Sequence, residues 1–454
     1  MPEPTLAPRD VSEAGLCIGC GACAAGRGGM EWDHYGQLGP VGRWTGEPSA
    51  TFARTCPFSP SAADEDAIAA DRFPQARFRD ARIGRFESAC VGHVAQGGFR
   101  AEGSSGGMVS WVAAELLRCG LIDGVAHVVP ADPLIDGRFF RYRISRDAAQ
   151  IREGAKSRYY PVDLSAVLEE IRAVPGRYAV VGVPCFMKAV QLLRAHDPVI
   201  AERVAYTLGL FCGHMKSAAF VESMAWQLGA PIAEVRAVEY RRKNPDRPAN
   251  WYTAHLTLAD GSARWRDWWH LVDGDWGAGF FQNAACDYCD DVVSETADIA
   301  FGDAWVEPYS SDGKGSNVVI ARSRQLHDMI AAAMADGRLS MQQVDAEFIA
   351  GTQAAGLRQR REGLAYRLRI APPALPLHKR VTPGERDLPW RRKLIYRARR
   401  WISAGSHRML AAARTLCWHG LYLRWAKASL RGYEVVTYLR GPMGRLLARL
   451  DRND

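Results

Sequence analysis

Three cysteines near the N-terminus have a spacing typical of an iron–sulfur site. Cys17, Cys20 and Cys23 stand at two-residue intervals in the segment Cys-Ile-Gly-Cys-Gly-Ala-Cys. This spacing lets one short loop wrap a corner of a cubane cluster, and Gly19 and Gly21 allow the tight turns that the loop needs. A zinc site is the alternative, but zinc loops usually contain two separated cysteine pairs. The triplet therefore favours an iron–sulfur cluster, which requires a fourth ligand.

The fourth ligand that we expect is Cys56. In bacterial ferredoxins a proline follows the last cysteine of the cluster motif. Cys56-Pro57 is the one Cys-Pro dipeptide in the chain. We therefore assign Cys17, Cys20, Cys23 and Cys56 to a first cysteine set.

A second cysteine set is predicted in the middle of the chain. Cys185 and Cys212 each follow a predicted strand, and the carboxyl ends of parallel strands meet at one edge of a sheet. Cys286-Asp-Tyr-Cys289 adds a pair with metal-type spacing. Buried core cysteines are the alternative for the first two, and a redox dithiol is the alternative for the pair. Together the four cysteines predict a second metal site.

A glycine- and serine-rich turn precedes a predicted helix. The residues Gly103, Ser104, Ser105, Gly106 and Gly107 lead into an apolar stripe at helical spacing. We expect one of the two serines to cap the helix and the free N–H groups to bind a phosphate, which a side chain at Gly106 would obstruct. Glycines needed only for close packing are the alternative.

Two further polar segments are candidates for the same cofactor. Lys156, Ser157, Arg158 and Tyr159 place two cations around a serine, although a solvated loop explains them equally well. The Gly302-Asp303 turn follows another predicted strand, so it too could approach a cofactor. His214 follows Cys212 by two residues, and we interpret it as a hydrogen-bond partner of the metal site rather than as a proton donor.

Composition and charge limit the class of protein. The chain has 454 residues, 48% of them hydrophobic, and a net charge of +8. Residues 388–454 contain fifteen Lys and Arg against three Asp and Glu, so this tail carries +12 and the rest of the chain −4. No nucleic-acid-binding motif accompanies the charge, and no uncharged apolar stretch is long enough to span a membrane. Eleven cysteines without a secretory signal indicate a reducing, cytoplasmic environment.

Alternating strand and helix patterns surround the candidate sites. Strands are predicted at 124–129, 178–183, 204–211, 298–301 and 316–321, and helices at 186–193 and 218–228. We therefore predict a mixed α/β fold, with an N-terminal module folded around its metal rather than around a core. Residues 375–389 are predicted to be a proline-rich linker.

A basic amphipathic helix is predicted after this linker. Leu394, Ile395, Ala398, Trp401 and Ile402 form its apolar stripe, with arginines on the opposite face. Such a helix suits the surface of an anionic membrane, which would put the protein at the inner face of the membrane, or an acidic protein partner. Packing on the protein's own acidic body explains the pattern equally well.

Taken together, the motifs resemble the family of coenzyme F420 hydrogenase and dehydrogenase beta subunits (FrhB/FdhB-like proteins) over residues 15–345. The resemblance rests on the cysteine triplet and on Gly103-Ser-Ser-Gly-Gly-Met-Val109, Lys156-Ser-Arg-Tyr159, Val181-Gly-Val-Pro-Cys185, Leu210-Phe-Cys-Gly213, Cys286-Asp-Tyr-Cys289 and Ala297-Asp-Ile-Ala-Phe-Gly-Asp303. Two departures are Phe186, where many relatives have glutamine, and the segment 24–27, where many have a fourth cysteine.

The resemblance implies a domain order and a set of cofactors. It implies a flavin-binding domain at 81–170 and an α/β domain with the second cluster at 171–374. The residue patterns themselves predict the cluster module at 1–80, the linker at 375–389 and the helical tail at 390–454. The resemblance also implies FAD, bound at the 103–107 turn and at 156–159, and [4Fe–4S] clusters. Partners would be a ferredoxin or a hydrogenase or dehydrogenase subunit, and a small-molecule substrate.

The implied function is that of an iron–sulfur flavoprotein oxidoreductase. Some relatives act on the deazaflavin coenzyme or on a chlorophyll derivative, and others are connected with the production of surface polysaccharides. A non-catalytic electron-transfer or assembly subunit is the alternative, because it would contain the same cysteine sets without a substrate pocket. The residues do not identify a catalytic side chain.

Overall fold

A computed structural model describes residues 4–384 and 388–450. Its centre is a mixed sheet with helices on both faces, which confirms the predicted α/β class. In chain order the strands are β1 (Met30–Trp32), β2 (Leu38–Pro40), β3 (Phe78–Asp80), β4 (Gly84–Phe86), β5 (Ser88–Val94), β6 (Gly124–Pro130), β7 (Phe140–Ser145), β8 (Tyr178–Gly182), β9 (Val204–Leu210), β10 (Val235–Arg242), β11 (Thr253–Leu258), β12 (Ala263–Asp267), β13 (Ile299–Asp303), β14 (Asn317–Ala321) and β15 (Leu339–Val344).

The central sheet has the strand order β15-β5-β14-β13-β9-β8-β6-β7. Strands β6, β8, β9 and β13 run parallel, whereas β5, β7, β14 and β15 pair antiparallel with their neighbours. Strands β10, β11 and β12 form a separate antiparallel sheet. The parallel centre is the part that brings the ends of β8 and β9 to one edge.

Helices cover both faces of this sheet and form the C-terminal region. In chain order they are α1 (Pro8–Glu13), α2 (Ala50–Thr55), α3 (Glu65–Arg72), α4 (Phe99–Glu102), α5 (Met108–Arg118), α6 (Pro133–Asp136), α7 (Ala148–Glu153), α8 (Ser165–Ala173), α9 (Pro184–His196), α10 (Pro198–Arg203), α11 (Ala219–Gln227), α12 (Arg324–Ala335), α13 (Ala346–Thr352), α14 (Ala354–Arg360), α15 (Glu362–Ile370), α16 (Trp390–Thr415), α17 (His419–Tyr438) and α18 (Gly441–Leu450). Within the described residues, no helix combines the length and the apolar character that a membrane crossing requires.

The predicted alternation of strands and helices is confirmed between 178 and 228. Strands β8 and β9 and helices α9 and α11 differ from the predicted bounds by at most a few residues. The predicted strands at 124–129, 298–301 and 316–321 correspond to β6, β13 and β14. These elements are recognisable because their strands are buried on both faces and their helices have apolar stripes.

The expectation that the N-terminal module lacks an apolar core is wrong. Leu16, Ile18, Phe52 and Phe58 are buried in the largest hydrophobic core, together with side chains of α8, α9 and α11. Burial of such side chains is worth about 1.5–3 kcal/mol each. The first cysteine set is therefore positioned by packing on the body of the protein.

The proline-rich segment before α16 is held against the body. Lys379 forms an ion pair with Asp290 at 3.2 Å, and Arg380 forms one with Glu295 at 2.8 Å; all four side chains are buried. We call residues 371–384 the strap. Its prolines prevent regular structure, but its two cations anchor it in place.

Helices α16 and α17 pack against each other and against the body, and we call them the hairpin. Ile395, Ile402 and Leu410 of α16 are buried in the same core as Tyr422 and Ala426 of α17. Within the predicted apolar stripe, Ile395 and Ile402 therefore face the protein itself, whereas Leu394 and Trp401 are exposed. Packing on the body, one of the predicted alternatives, thus accounts for part of this stripe.

Candidate functional site

The first cysteine set lies in a loop after α1 and at the end of α2. Gly19 and Gly21 have φ angles of +72° and +73°. A Cβ atom at Gly19 would lie 2.7 Å from the carbonyl oxygen of Leu38, and one at Gly21 would lie 2.8 Å from Cβ of Asp163. Both positions therefore require glycine, for backbone conformation and for close approach.

The four thiols of this set are close enough to influence one another's ionisation. Burial raises the pKa of Cys23 well above its ordinary value, and neighbouring Cys20, Cys17 and Cys56 raise it further. Burial likewise raises the pKa of Cys56, and Cys20 adds to this effect. The structure thus brings Cys56 to the triplet, as the Cys-Pro dipeptide predicts.

The second cysteine set surrounds a small internal void. Cys185, in the first turn of α9, and Cys212, two residues after β9, line it together with Cys286 and Cys289. The backbone N–H of Met215 donates to Sγ of Cys286 at 3.3 Å. Sheet topology explains this convergence, because the parallel strands β8 and β9 deliver the first two cysteines to one edge.

A buried arginine supports the second set and was missed by sequence reasoning. Arg360, at the end of α14, lines the same void and donates to the carbonyl oxygens of Gly213, Cys286 and Cys289. Although burial opposes its charge, the thiols of Cys289, Cys286 and other members of the set raise the pKa of Arg360. Nothing in its local sequence distinguishes it from the neighbouring arginines 358 and 361.

Both sets have the chemistry of a cluster site without the geometry of a bound ion. In residues 4–384 and 388–450, no three or more His, Cys, Asp or Glu side chains form a group that could hold a metal ion as they stand. Each set nevertheless gathers four buried or half-buried thiols, and in the second set an N–H group is directed at one sulfur. This all-thiol donor set fits an iron–sulfur cluster, and the ligand assignments remain proposals.

The two cysteine sets adjoin each other. Ile18, between two cysteines of the first set, and Phe58, close to Cys56, both line the void of the second set. Burial raises the pKa of Cys185, and besides its own set Cys20 contributes to this rise. The sets are therefore neighbours in space although they lie far apart in the sequence.

The 103–107 turn packs tightly before α5. Gly107 adopts a φ angle of +84° and precedes the helix, so neither serine is the cap. A Cβ atom at Gly106 would lie 2.8 Å from the backbone nitrogen of Asn317, whose side-chain oxygen accepts from the N–H of Met108. The expected serine cap is wrong, and close packing, the alternative interpretation, explains Gly106.

Ser104 connects this turn with the second polar segment. Its hydroxyl oxygen accepts from the N–H of Ser157 at 2.8 Å, whereas the hydroxyl of Ser105 donates to the carbonyl oxygen of Ser316. Lys156 forms an ion pair with Glu239 at 2.9 Å. The structure thus brings together the turn and the segment 156–159, which the sequence separates by about fifty residues.

Arg241 connects the Gly302-Asp303 turn with the 103–107 turn. A carboxylate oxygen of Asp303 accepts from Arg241 at 2.8 Å, and the guanidinium of Arg241 also contacts the carbonyl oxygen of Ser104 at 3.4 Å. Gly302 packs against the ring of Phe211, where a Cβ atom would lie 2.0 Å away. Asp303 therefore belongs to the site, whereas Gly302 has a packing role.

Strand β10 and the residue after it contribute cations that sequence reasoning missed. Nζ of Lys243 donates to the carbonyl oxygen of Ser105 at 2.6 Å, and burial lowers the pKa of Lys243 to about 7. Burial also lowers the pKa of Arg158, which belongs to the predicted 156–159 segment, to about 10. The signal available was the run of three cations Arg241-Arg-Lys243 at the end of the strand.

The surroundings of this site fit a large anionic cofactor. Nε of Arg158, Nε of Arg241 and the hydroxyl of Tyr240 are buried without a hydrogen-bond partner among the described residues. An open cavity of about 460 Å³ adjoins Arg158, and Lys156 and Glu239 also line it. Unpartnered buried donors beside a cavity are what a phosphate-bearing ligand would satisfy.

Aromatic side chains join the second cysteine set to this basic site. Trp276 packs on Gly213, the residue after Cys212, where a Cβ atom would lie 2.4 Å from its indole nitrogen. The ring centroid of Trp276 lies 4.7 Å from that of Tyr159 and 4.3 Å from that of His214. Tyr159 is therefore the member of the 156–159 segment that faces the cysteines.

His214 has the properties of a neutral hydrogen-bonding group. It is buried, and burial lowers its pKa well below the ordinary value. Its Nδ1 lies 3.3 Å from a guanidinium nitrogen of Arg399, which can only donate, so Nδ1 is the acceptor. Its hydrogen bond is with Arg399 and not with a cysteine, so its role as a hydrogen-bond partner of the metal site stays a prediction.

Comparisons with known proteins were consistent with one family. The sequence model for the N-terminal part of the coenzyme F420 hydrogenase/dehydrogenase beta subunit matches residues 89–169, and the model for the C-terminal part of the same protein matches residues 176–347. A chain in the structure titled "Xenon derivatization of the F420-reducing [NiFe] hydrogenase complex from Methanosarcina barkeri" is 18% identical, with a TM-score of 0.48; the match covers 62% of this chain and 92% of that one. No curated protein sequence matches.

Proposed function

Because the chain belongs to the family of coenzyme F420 hydrogenase/dehydrogenase beta subunits, we propose that it is an iron–sulfur flavoprotein that relays electrons between two [4Fe–4S] clusters and FAD. The family makes it an electron-transferring oxidoreductase subunit. The observation that carries the finer proposal is spatial continuity. The two cysteine sets adjoin, and Trp276 and Tyr159 connect the second set with the basic site.

The proposed ligands of the clusters are the two cysteine sets. A cluster bound by thiolates is stabilised by N–H groups and positive charges around the sulfurs. The N–H of Met215 and the guanidinium of Arg360 occupy such positions at the second set. The proposed ligands are Cys17, Cys20, Cys23 and Cys56 for one cluster and Cys185, Cys212, Cys286 and Cys289 for the other.

The proposed flavin site is the basic site between the 103–107 turn and β10. Ser104 and Arg241 would orient the phosphates, and Lys243 would neutralise their charge, because its buried ammonium already faces the turn. Tyr159 and Trp276 exclude water between this site and the cysteines. When bound, the clusters would pass single electrons and the flavin would exchange hydride with the substrate.

The proposed partners are a redox protein and a small molecule. The former would be a ferredoxin or a hydrogenase or dehydrogenase subunit, as the family description suggests. The cavity of about 460 Å³ beside Lys156 and Glu239 is the proposed entrance for the substrate. We include intermediates of surface-polysaccharide production among the substrates to be screened, and we propose a cytoplasmic location.

Anaerobic purification with iron, sulfide and flavin assays tests this proposal. We expect about eight irons per chain, from two four-iron clusters, and one FAD. Arg241→Gln should lower flavin content without changing iron content, whereas Arg264→Gln, on the exposed strand β12, should change neither. Stoichiometric zinc in place of iron would refute the cluster chemistry, and four irons would remove one of the two sites.

The second candidate is a relay subunit without its own substrate reaction. The adjoining cysteine sets favour it as much as they favour the enzyme, since they require no flavin. Eight irons without a flavin absorbance band, in a chain purified with FAD present, would identify the relay. A flavin that is reduced through the clusters by dithionite-reduced ferredoxin would identify the enzyme.

A further inference from the structure

The inner face of the hairpin is occupied by contacts with the body. Ile395 and Ile402 are buried there. Arg399 donates to the carbonyl oxygen of Gly277, and Arg400 forms an ion pair with Asp287 at 3.4 Å. These apolar and basic side chains are therefore unavailable to another surface. A docking surface on the hairpin has to be its outer face.

The outer face of the hairpin has exposed side chains at helical spacing on both helices. On α16 they recur at intervals of three, four and seven residues, and on α17 at intervals of three and four. Each set therefore forms one stripe along its helix. We define the outer face by Leu394, Arg397, Trp401 and Arg408 of α16 and Arg424, Lys427 and Arg431 of α17, all of them exposed.

This face is basic and has no acidic residue. Residues 388–450 contain fourteen Lys and Arg and a single acid, Glu434. Glu434 follows Arg431 by three residues on α17, but it is only half-buried rather than exposed, and its carboxylate forms an ion pair with Arg440 at 2.6 Å. Since residues 1–387 carry a net charge of −4, the positive charge is concentrated on the hairpin. A partner that this surface attracts has to be anionic.

Large apolar side chains project between these cations. Trp401 is 58% exposed and Leu394 40% exposed, although both lie on a helix whose other face reaches the core. Leu416 and Trp418, 63% and 48% exposed, lie at the turn between the two helices. Indole and leucine side chains that alternate with arginines are typical of helices in the headgroup region of a bilayer.

We propose that the outer face of the hairpin binds an anionic lipid surface. Helix α16 has 26 residues and is roughly 39 Å long at 1.5 Å per residue. Its exposed apolar side chains, Leu394 and Trp401, lie in the first half of this length, and Leu416 and Trp418 lie beyond its end, at the turn. In this arrangement the apolar side chains would enter the lipid surface while the cations approach the lipid phosphates. The hairpin thereby holds the body at the membrane without crossing it.

Flotation of the full chain with lipid vesicles tests this inference. The probes are vesicles of phosphatidylcholine alone and of phosphatidylcholine mixed with phosphatidylglycerol, at low and high ionic strength. The test variant is Arg424→Glu with Arg431→Glu. The matched control, Arg264→Glu with Arg266→Glu, makes the same change in net charge on β12, where Trp265 is 64% exposed.

We expect the full chain to float with the anionic vesicles at low ionic strength and to lose this binding as salt rises. Each cation near an anionic surface contributes about fivefold to the affinity, so the loss of two cations should weaken binding about 25-fold. The two new glutamates add repulsion, so the affinity of the hairpin variant should fall by at least this factor. The β12 control should keep its binding. Trp401→Ala should also bind more weakly, while Trp265→Ala should not.

Two results would overturn the inference. The first is a wild-type chain that fails to float with anionic vesicles at low ionic strength, or that floats equally with and without the hairpin substitutions. The second is retention of the wild-type chain, but not the hairpin variant, on an immobilised acidic ferredoxin in the absence of flotation. That outcome would assign the outer face to an acidic protein instead of lipid.

Discussion

Replacement of Arg380 by methionine should destabilise the protein in a manner that depends on pH. Arg380 contacts both carboxylate oxygens of Glu295, at 2.8 and 3.0 Å, and the exposed fractions of the two side chains are 9% and 2%. Removing one member of a buried ion pair leaves the other charge uncompensated, which costs about 3–5 kcal/mol. We expect a loss of this size in the free energy of unfolding at pH 8.

The loss should be smaller at pH 5. Burial raises the pKa of Glu295 to about 7, against the opposing effect of Arg380. The folded state therefore binds a proton at Glu295 that the unfolded state releases, and stability decreases as pH rises between the ordinary carboxyl pKa and 7. Without Arg380 the folded-state pKa rises further. At pH 5 Glu295 is protonated in the folded state with or without Arg380, so the loss that remains is that of the contact between Arg380 and the buried carboxylate of Asp290, 3.5 Å away.

Arg361 provides the matched control, because it contacts the same carboxylate from a more exposed position. Its distance to Glu295 is 3.4 Å and its side chain is 26% exposed, so Arg361→Met should cost at most about 1 kcal/mol. Urea denaturation of the metal-free chain at the two pH values, followed by tryptophan fluorescence, measures both variants. Equal losses in the two variants, or the same loss for Arg380→Met at both pH values, would refute this reasoning.

Three further predictions concern the cysteines, the turn and the hairpin. Cys56→Ser should lower the iron content of the purified protein, whereas Cys90→Ser, in a buried strand, should not. The reverse result would show that Cys90 and not Cys56 is the fourth ligand of the first cluster. Gly106→Val should reduce the yield of folded protein rather than remove flavin selectively, because its Cβ would meet backbone atoms at 2.8 Å; a folded, iron-loaded and flavin-free variant would contradict this. Tyr422→Phe should lower the free energy of unfolding by about 1.5–3 kcal/mol, since the hydroxyl of Tyr422 donates to the buried carboxylate of Asp273 at 2.8 Å. The hairpin of this variant should also be cleaved more readily by proteases, and unchanged cleavage would argue against this contact.

The local sequence pattern was sufficient to predict a residue's position where that position depends only on the strand or helix that contains the residue. Strands β8 and β9 were predictable from continuous apolar runs, and the positions of Cys185 and Cys212 follow from the rule that parallel strands end at one edge. The amphipathic character of α16 was likewise evident from its spacing. In these cases the residues that determine the local structure lie within about ten positions of one another.

Local pattern failed where a side chain's partner is distant in the sequence. The hydroxyl of Ser104 accepts from Ser157 instead of capping α5, a choice that only the tertiary arrangement decides. Lys243 is nearly 140 residues from the carbonyl oxygen of Ser105 that it contacts. The prolines of the strap indicated a linker, but Lys379 and Arg380 find buried carboxylates that no local signal reveals.

The charge around the second cysteine set comes largely from outside the region that the family models match. Those models end at residue 347, yet Arg360 contacts carbonyl oxygens of Cys286 and Cys289, and Lys379 pairs with Asp290. Buried positive charge near a thiolate-bound cluster favours its reduced state, because it offsets the added electron. If the second cluster is bound as proposed, the segment after residue 347 would therefore raise its reduction potential above the value that the same ligands would give alone. An Arg360→Gln variant should lower that potential in a redox titration, while an Arg358→Gln variant, two residues earlier on the same helix, should leave it unchanged.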